Sequence, residues 1–323
     1  MSALYPLFFT PIPKERLWGG DQLQRFLNKS FQGETIGESW ELSAVSGDVS
    51  VVSEGPLKGQ RLDELIEKHK GELVGHDVYK RFGNDFPVLI KYIDAQKDLS
   101  VQLHPHDHLA RERHNSFGKN EMWYIMNAEP NAQLIAGFAK DTSQAEYQQY
   151  LDRGAIEDLL HYETIDKGDV FFIRTGTVHA IGAGILLAEI QQTSDVTYRI
   201  FDWNRTDKNG NTRELHTELA LDAIDYQKRD NHLVNYTKIA NQRNSVVSSP
   251  YFTTDIVPVN GKLSVPTTTI DSFVVLMAVR GDTVIEVDGK TYPLPFGSTV
   301  LLPACLSAFS LQANQSEVLM VTI

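Results

Sequence analysis

Short runs of Val, Ile, Leu, Phe and Tyr, broken every few residues by Gly, Pro, Asn or Asp, dominate the chain. The runs FPVLIKYIDA, LSVQLH, EMWYIMN, AQLIAGF, GDVFFIRTG, GILLAEIQQ, VTYRIFDW, FVVLMAV, DTVIEVDG, STVLLPA and EVLMVTI predict strands, because β-branched and aromatic residues bounded by turn formers suit a pleated surface. Strands this short and frequent predict a sandwich or barrel. A doubly wound sheet needs helices alternating with strands, and helical stretches are few. Residues 61–76 (RLDELIEKHKGELVGH) place Leu62, Leu65, Ile66, Leu73 and Val74 at helical spacing. Ser143 and Glu146 form a capping-box pattern ahead of EYQQYLDR, with Gly154 as the stop. LHTELALDAIDY, residues 215–226, predicts one more short helix starting near Thr217.

A polar stretch, residues 227–250, separates two strand-rich regions and predicts a division into units 1–235 and 240–323. The two share a faint repeat. GDVFFIRTGTVHAI, from Gly168, aligns without gaps on GSTVLLPACLSAFS, from Gly297, as turn, strand, turn and second strand. Ala308 then stands where the first copy has His179, so a metal site at His179 would have no counterpart in the second unit.

A length of 323 residues suits about two domains. With 41% hydrophobic and 22% charged residues, the composition is that of an ordinary soluble globular protein, not of collagen, a coiled coil or a disordered chain. No run approaches the ~18 apolar residues of a membrane helix. The start, MSALYPLFFTPIPKE, lacks the basic segment of a signal peptide. A single cysteine, Cys305, excludes an internal disulfide framework and any cysteine-based zinc cluster. Together these features predict a cytoplasmic protein. The net charge of -12 argues against nucleic acid as a partner. It also means that a site for an anionic substrate must supply its own cations against the global field.

Candidate chemistry follows from strand parity. In Ser100-Val101-Gln102-Leu103-His104, residues 100, 102 and 104 share one face, and so do Lys119 and Glu121 ahead of MWYIM. A later turn, Thr175-Gly176-Thr177-Val178, leads into His179. Two histidines and a glutamate on neighbouring strands suit a divalent metal and leave positions open for water or substrate. A Gln102 carbonyl would be an unusual fourth ligand. With ten histidines in the chain, a solvated or hydrogen-bonded role competes for each. His106 shares parity with His104 but follows Pro105, which ends the regular strand. His106 and His108 are thus competing candidates, and His114 and His161 read as solvated. In EIQQTSDVTYRIFDW, a polar turn near Ser194 and Asp195 would return Glu189 to the same mouth as Arg199. The bland alternative is a hairpin with a surface salt bridge.

The runs FPVLIKYIDAQKDLSVQLHPHD, GKNEMWYI and GDVFFIRTGTVHAIGAGILLAEIQQTSDVTYRIFDWNR closely resemble the type I phosphomannose isomerases in their short bacterial form. LWGG at 17–20, GESWELSA at 37–44 and RELHTELALDAID at 213–225 fit the same pattern in order, so the resemblance spans most of residues 1–226. The remainder fits the family's second barrel only in general character.

The resemblance implies an all-β-dominated fold of two cupin-like, jelly-roll β-barrels with a small helical insertion. Residues 1–235 would form the catalytic unit and 240–323 a metal-free one. It implies one zinc ion per chain held by Gln102, His104, Glu121 and His179. It places Arg199 as the active-site arginine, Lys91 and Lys119 as lysines of the sugar-phosphate pocket, Ser100 at the phosphate and Glu189 as a carboxylate near the metal. The implied reaction interconverts mannose 6-phosphate and fructose 6-phosphate through an enediol. His106 departs from the family pattern, where many relatives carry Asp.

Zinc could polarise a substrate oxygen, hold water or order the pocket. The base could be Glu189, if burial raises its pKa, or Lys119 with a depressed one. Arg199 stays protonated and suits stabilisation of developing negative charge. Two other readings compete. Two histidines and a carboxylate also make the facial triad of a non-haem iron oxygenase. A non-catalytic sugar-phosphate sensor would keep the same pocket.

Overall fold

The computed structural model describes residues 4–33, 35–206 and 209–323; the first three residues of the N-terminal run lie outside them. Antiparallel strands dominate. The first set is β1 (Ile12–Gly20), β2 (Ile36–Leu42), β3 (Val88–Ala95), β4 (Val101–Leu103), β5 (Glu121–Ala128), β6 (Gln133–Phe138), β7 (Leu160–Thr164), β8 (Val170–Ile173), β9 (His179–Ile181), β10 (Ile185–Gln192) and β11 (Tyr198–Phe201). These form a six-stranded sheet, β1-β2-β3-β10-β5-β8, and a five-stranded sheet, β11-β4-β9-β6-β7. The second set is β12 (Asn244–Ser248), β13 (Thr253–Pro266), β14 (Val274–Arg280), β15 (Thr283–Val287), β16 (Lys290–Leu294), β17 (Thr299–Leu302) and β18 (Ala308–Thr322), joined in one seven-stranded sheet.

Alternation decides which side chains reach the space between the first two sheets. Strand β10 is buried along its whole length. Leu186, Ala188 and Ile190 enter a core shared with the C-terminal sheet. Ile185 and Leu187 enter the core between the two N-terminal sheets, beside Ile93, Trp123, Leu134 and Ile181. By the two-residue period, Glu189 belongs with Ile185 and Leu187. The neighbours follow suit: Ile90 and Tyr92 of β3, and Met122 and Tyr124 of β5, go to the shared core, which frees Lys91, Glu121 and Trp123 for the inner face. A strand buried on both faces is thus apolar on one and carries polar groups on the other.

A third core lies behind the five-stranded sheet. There Leu109 and Tyr147, from helices Asp107–His114 and Gln144–Asp152, pack on Val101, Leu103, Tyr198 and Ile200. A fourth fills the C-terminal unit. Among the described residues, strand pairing does not mix the two sets, but Leu7 and Leu301 exchange backbone hydrogen bonds at 2.8 and 3.0 Å. The N-terminal segment is thereby tied to the C-terminal sheet.

Two predicted helices differ in extent. The helix expected over 61–76 breaks into Leu62–His69 and Gly71–Val74, because Lys70 takes φ 49°, ψ -128°; a further helix, His76–Phe82, follows Gly75. The helix expected over 215–226 is a single turn, Thr217–Ala220, and beyond it the Asp225 N–H donates to Gly176 O rather than to the preceding turn. The third forms as expected: Ser143 Oγ accepts from Glu146 N at 3.2 Å, and Gly154 has φ 67°. The Glu146 carboxylate, however, binds Lys140 and Thr142 instead of closing the capping box. In the repeat, Gly168 and Gly297 both have positive φ, β8 and β17 both start two residues later, and His179 and Ala308 both open the next strand.

Candidate active site

The inner faces of the two sheets enclose a cavity of about 440 Å³. The six-stranded sheet contributes Arg16, Trp18, Glu38, Trp40, Lys91, Glu121, Trp123 and Glu189; Gln102, His179 and Arg199 come from the five-stranded sheet, and Ser100 and Lys119 from the segments just before β4 and β5.

Registry brings the donors together. Gln102 pairs with His179 of β9 on one side and with Arg199 of β11 on the other. His104 follows β4 directly, and Glu121 opens β5. Ligating atoms of His104, Glu121 and His179 lie within 4.8 Å of one another, and all three residues are buried. His104 Nδ1 lies 2.8 Å from Val196 O and His179 Nδ1 lies 2.9 Å from Thr177 O. A carbonyl only accepts, so each Nδ1 carries the hydrogen and each Nε2 offers a lone pair toward Glu121. Burial, reinforced by the Lys119 charge, pushes the His104 imidazolium down to about 3, and burial lowers His179 as well, so both rings are neutral. Both Glu121 oxygens are buried; Oε1 is met by the Lys119 ammonium and Oε2 has no hydrogen-bond partner. Two neutral imidazoles around a buried carboxylate with one oxygen left over fit a divalent cation. Gln102 is at the edge of this cluster, but it turns its amide nitrogen to His179 Nε2 at 3.5 Å and its carbonyl oxygen to Ser100 Oγ at 3.4 Å, so ligation through the expected carbonyl needs the amide turned over.

Charged partners surround the cluster. Lys119 Nζ lies 2.7 Å from Glu121 Oε1 and 3.3 Å from His104 Nε2, so the predicted shared face of Lys119 and Glu121 forms. Glu189 sits opposite Lys91 on β3 and Trp123 on β5. Its Oε2 is 2.6 Å from Lys91 Nζ, and its Oε1 accepts from Trp123 Nε1 at 2.8 Å. Burial, then the Glu121 charge, raises the Glu189 pKa above that of an ordinary glutamate, against the pull of Lys91 and Lys119. Burial alone would drive Lys91 down, but Glu189 and Glu38 hold its ammonium above the usual lysine range. Glu38 in turn accepts from Arg16 Nε at 2.9 Å and from Trp40 Nε1 at 2.6 Å.

Arg199 and Glu189 line the same cavity, as the polar turn predicts. Arg199 Nε donates to Ser100 Oγ at 3.2 Å and Nη1 donates to Glu214 O at 2.9 Å, which fixes the guanidinium in place. The competing histidines lie elsewhere. His106 caps the helix after Pro105, its Nδ1 accepting from Leu109 N at 3.3 Å, and His108 is exposed. His114 meets Tyr198 OH at 2.8 Å and His161 meets Glu163 at 2.9 Å, so each has a protein partner in place of pure solvation.

The candidate residues read from the sequence do not include Arg16, Trp18, Glu38, Trp40, Asp195 and Arg213, all of which line the cavity. For Glu38 and Trp40 a signal existed: two residues apart in GESWELSA, they share a strand face. Arg213 arrives from a loop, and its one signal is its place at the head of the run RELHTELALDAID.

The match to known proteins covers the whole architecture. Residues 7–148 match the catalytic domain of type I phosphomannose isomerase, and residues 242–322 match the cupin domain of mannose-6-phosphate isomerase. A mannose-6-phosphate isomerase of Bacillus subtilis is 35% identical, covering 95% of this chain and 96% of the relative. One from Streptococcus mutans is 34% identical, covering 96% of each. The crystal structure of the mannose 6-phosphate isomerase from Bacillus subtilis superposes with a TM-score of 0.89 at 32% identity, covering 99% of this chain and 100% of that one. The chain is therefore an isomerase and belongs to the type I phosphomannose isomerase family.

Proposed function

We propose that the cavity between the two N-terminal sheets interconverts mannose 6-phosphate and fructose 6-phosphate, with residues 1–235 as the catalytic unit and 240–323 as a metal-free supporting unit. The observation that carries this is a buried His104–Glu121–His179 cluster whose Glu121 and His179 line one cavity together with Lys91, Lys119, Arg199 and Glu189. The local cations supply what an anionic sugar phosphate needs in a protein of net charge -12. The donor chemistry favours zinc, held by His104, Glu121 and His179 with Gln102 as the fourth ligand; bound there, zinc supplies Lewis acidity toward substrate oxygens.

This chain's residues divide the remaining work. Glu189 acts as the general base: its raised pKa and its fixing by Trp123 and Lys91 support proton removal from C2 of the open-chain aldose. The electrons of the C2–H bond form the C1–C2 double bond of an enediol as the carbonyl oxygen takes a proton. Return of the proton to C1 and loss of the O2 proton give the ketose. Arg199 stays protonated and faces the negative charge that develops on the oxygens. Lys119 neutralises the cluster and positions the hydroxyls. Lys91 and Ser100 complete the sugar-phosphate contacts.

C2-deuterated mannose 6-phosphate tests the reading. Fructose 6-phosphate should form with the label divided between C1 and solvent. Formation without any solvent exchange under all conditions would argue for hydride movement, and no product from folded, metal-loaded protein would overturn the assignment.

A further inference from the structure

Beside the cavity, Asp202 serves two arginines at once. Arg213 Nε donates to Asp202 Oδ2 at 2.7 Å, and its Nη2 also reaches Oδ1, where Arg205 Nη2 donates at 2.5 Å. Arg199 lies in the same group, already bound to Ser100 and the Glu214 carbonyl. Its protonation is opposed by burial first and by Arg213 next. The Glu214 carboxylate is 84% exposed and weakly felt. Asp195, the other acid at this end of the cavity, is also exposed. Two guanidiniums thus share one buried carboxylate, and Arg199 stands near enough to feel the charges of Arg213 and Asp202.

Toward the six-stranded sheet the balance is different. Arg16 has Glu38, Lys91 has Glu189 and Lys119 has Glu121. Those cations are matched one to one; among the described residues, surplus buried positive charge lies at the Arg199–Arg213 end, where Asp195 and Glu214 are exposed. Clustering like charges at a partly buried wall is costly unless an anion completes it. Both Arg199 and Arg213 line the cavity, whereas Arg205 does not and donates to Asp98 O at 2.6 Å.

The geometry points to Arg213 as a phosphate-binding residue of this cavity, acting beside Ser100 with its guanidinium held in place by Asp202, while Arg199 keeps the role given above. This inference rests on the sugar-phosphate reading above and adds Arg213 to the phosphate end that the resemblance marks with Ser100. A guanidinium fixed by a carboxylate has little freedom left to lose on meeting a phosphate, and its flat fork suits a phosphate better than an ammonium does.

The test is steady-state kinetics on zinc-loaded protein with mannose 6-phosphate, together with calorimetric binding of inorganic phosphate, for wild type, Arg213→Gln, Arg213→Lys and Arg205→Gln. Arg213→Gln should raise KM about 10-fold or more with kcat within about 3-fold, and weaken phosphate binding by a similar factor, as expected for one lost charge-assisted contact. Arg213→Lys should recover part of both losses. Arg205→Gln removes an Asp202 partner without touching the cavity and should change either quantity by less than about 3-fold. An Arg213→Gln protein with unchanged KM and phosphate affinity overturns the inference. Equal losses in Arg205→Gln do so too, by tracing the effect to Asp202. If wild type turns over no mannose 6-phosphate, the function assigned above fails, and the phosphate-binding comparison still decides the role of Arg213.

Discussion

Lys91 Nζ lies 2.6 Å from Glu189 Oε2, across a register that sets the two residues directly opposite each other on adjacent strands. Both are buried, so each controls the other's protonation. Burial raises the Glu189 pKa and Lys91 draws it back. Removing the cation must therefore raise it further. Activity that needs the Glu189 carboxylate is lost as pH falls through that pKa. Lys91→Met should move the acid limb of the kcat/KM profile to higher pH by about one unit or more, as expected for a buried opposite charge at contact distance. A limb that stays in place would remove Glu189 as the base.

Arg199 is assigned to stabilise charge in the transition state and not to hold metal. Arg199→Ala should lower kcat by about 10²–10³-fold, the range seen when one such donor is lost, while metal content stays near wild type. Parallel loss of kcat and metal would contradict the assignment.

The neutral rings and the buried Glu121 carboxylate make the metal cluster sensitive to single changes. His179→Ala should weaken metal binding by more than about 100-fold, beyond the 10–100-fold typical of losing only an outer hydrogen-bond partner. Bound metal should also raise the melting temperature of wild type and leave that of His179→Ala unchanged. Calorimetric zinc titration and thermal melts with and without zinc check both.

Much of this site was legible along the chain, because period-two alternation puts Gln102 with His104 and Lys119 with Glu121 on single faces. The fold class was legible from the short apolar runs for the same local reason. Contributions that depend on which strands become neighbours were not. Glu38 meets Lys91 only because β2 pairs with β3, and Arg213 enters from a loop through its contact with Asp202. The break at Lys70 was hidden because the apolar spacing of Leu62, Leu65, Ile66, Leu73 and Val74 continues on both sides of it. The helix expected over 215–226 stops after one turn because a competing acceptor, Gly176 O, comes from a segment far away in sequence.

Lys70 is exposed and holds a backbone conformation, φ 49° and ψ -128°, that glycine adopts far more readily. Lys70→Gly should stabilise the protein by about 1 kcal/mol, offset slightly by the greater freedom of glycine in the unfolded chain. The midpoint of urea unfolding should rise with unchanged slope. A lower midpoint would show that the side chain contributes more than the backbone strain costs.

Asp94 is buried beneath the turn at Gln22, accepting from Gln22 N at 2.7 Å and Gln22 Nε2 at 3.1 Å, and burial raises its pKa to about 6. A carboxyl whose folded pKa is raised favours the folded state below its unfolded pKa of 3.8, and this contribution fades as pH rises through about 6. Asp94→Asn keeps an acceptor without the charge. Its melting temperature relative to wild type should therefore be higher at pH 7.5 than at pH 5. The opposite trend would mean that the ionised carboxylate is the better partner for Gln22.

The most direct measurement is a coupled assay of mannose 6-phosphate conversion to fructose 6-phosphate, run on the protein as purified, after chelation and after zinc is restored. Activity should be present, disappear on chelation and return with zinc. Turnover that survives complete removal of metal would contradict the role given to His104, Glu121 and His179, and a folded, zinc-loaded protein without turnover would contradict the isomerase reading of the cavity itself.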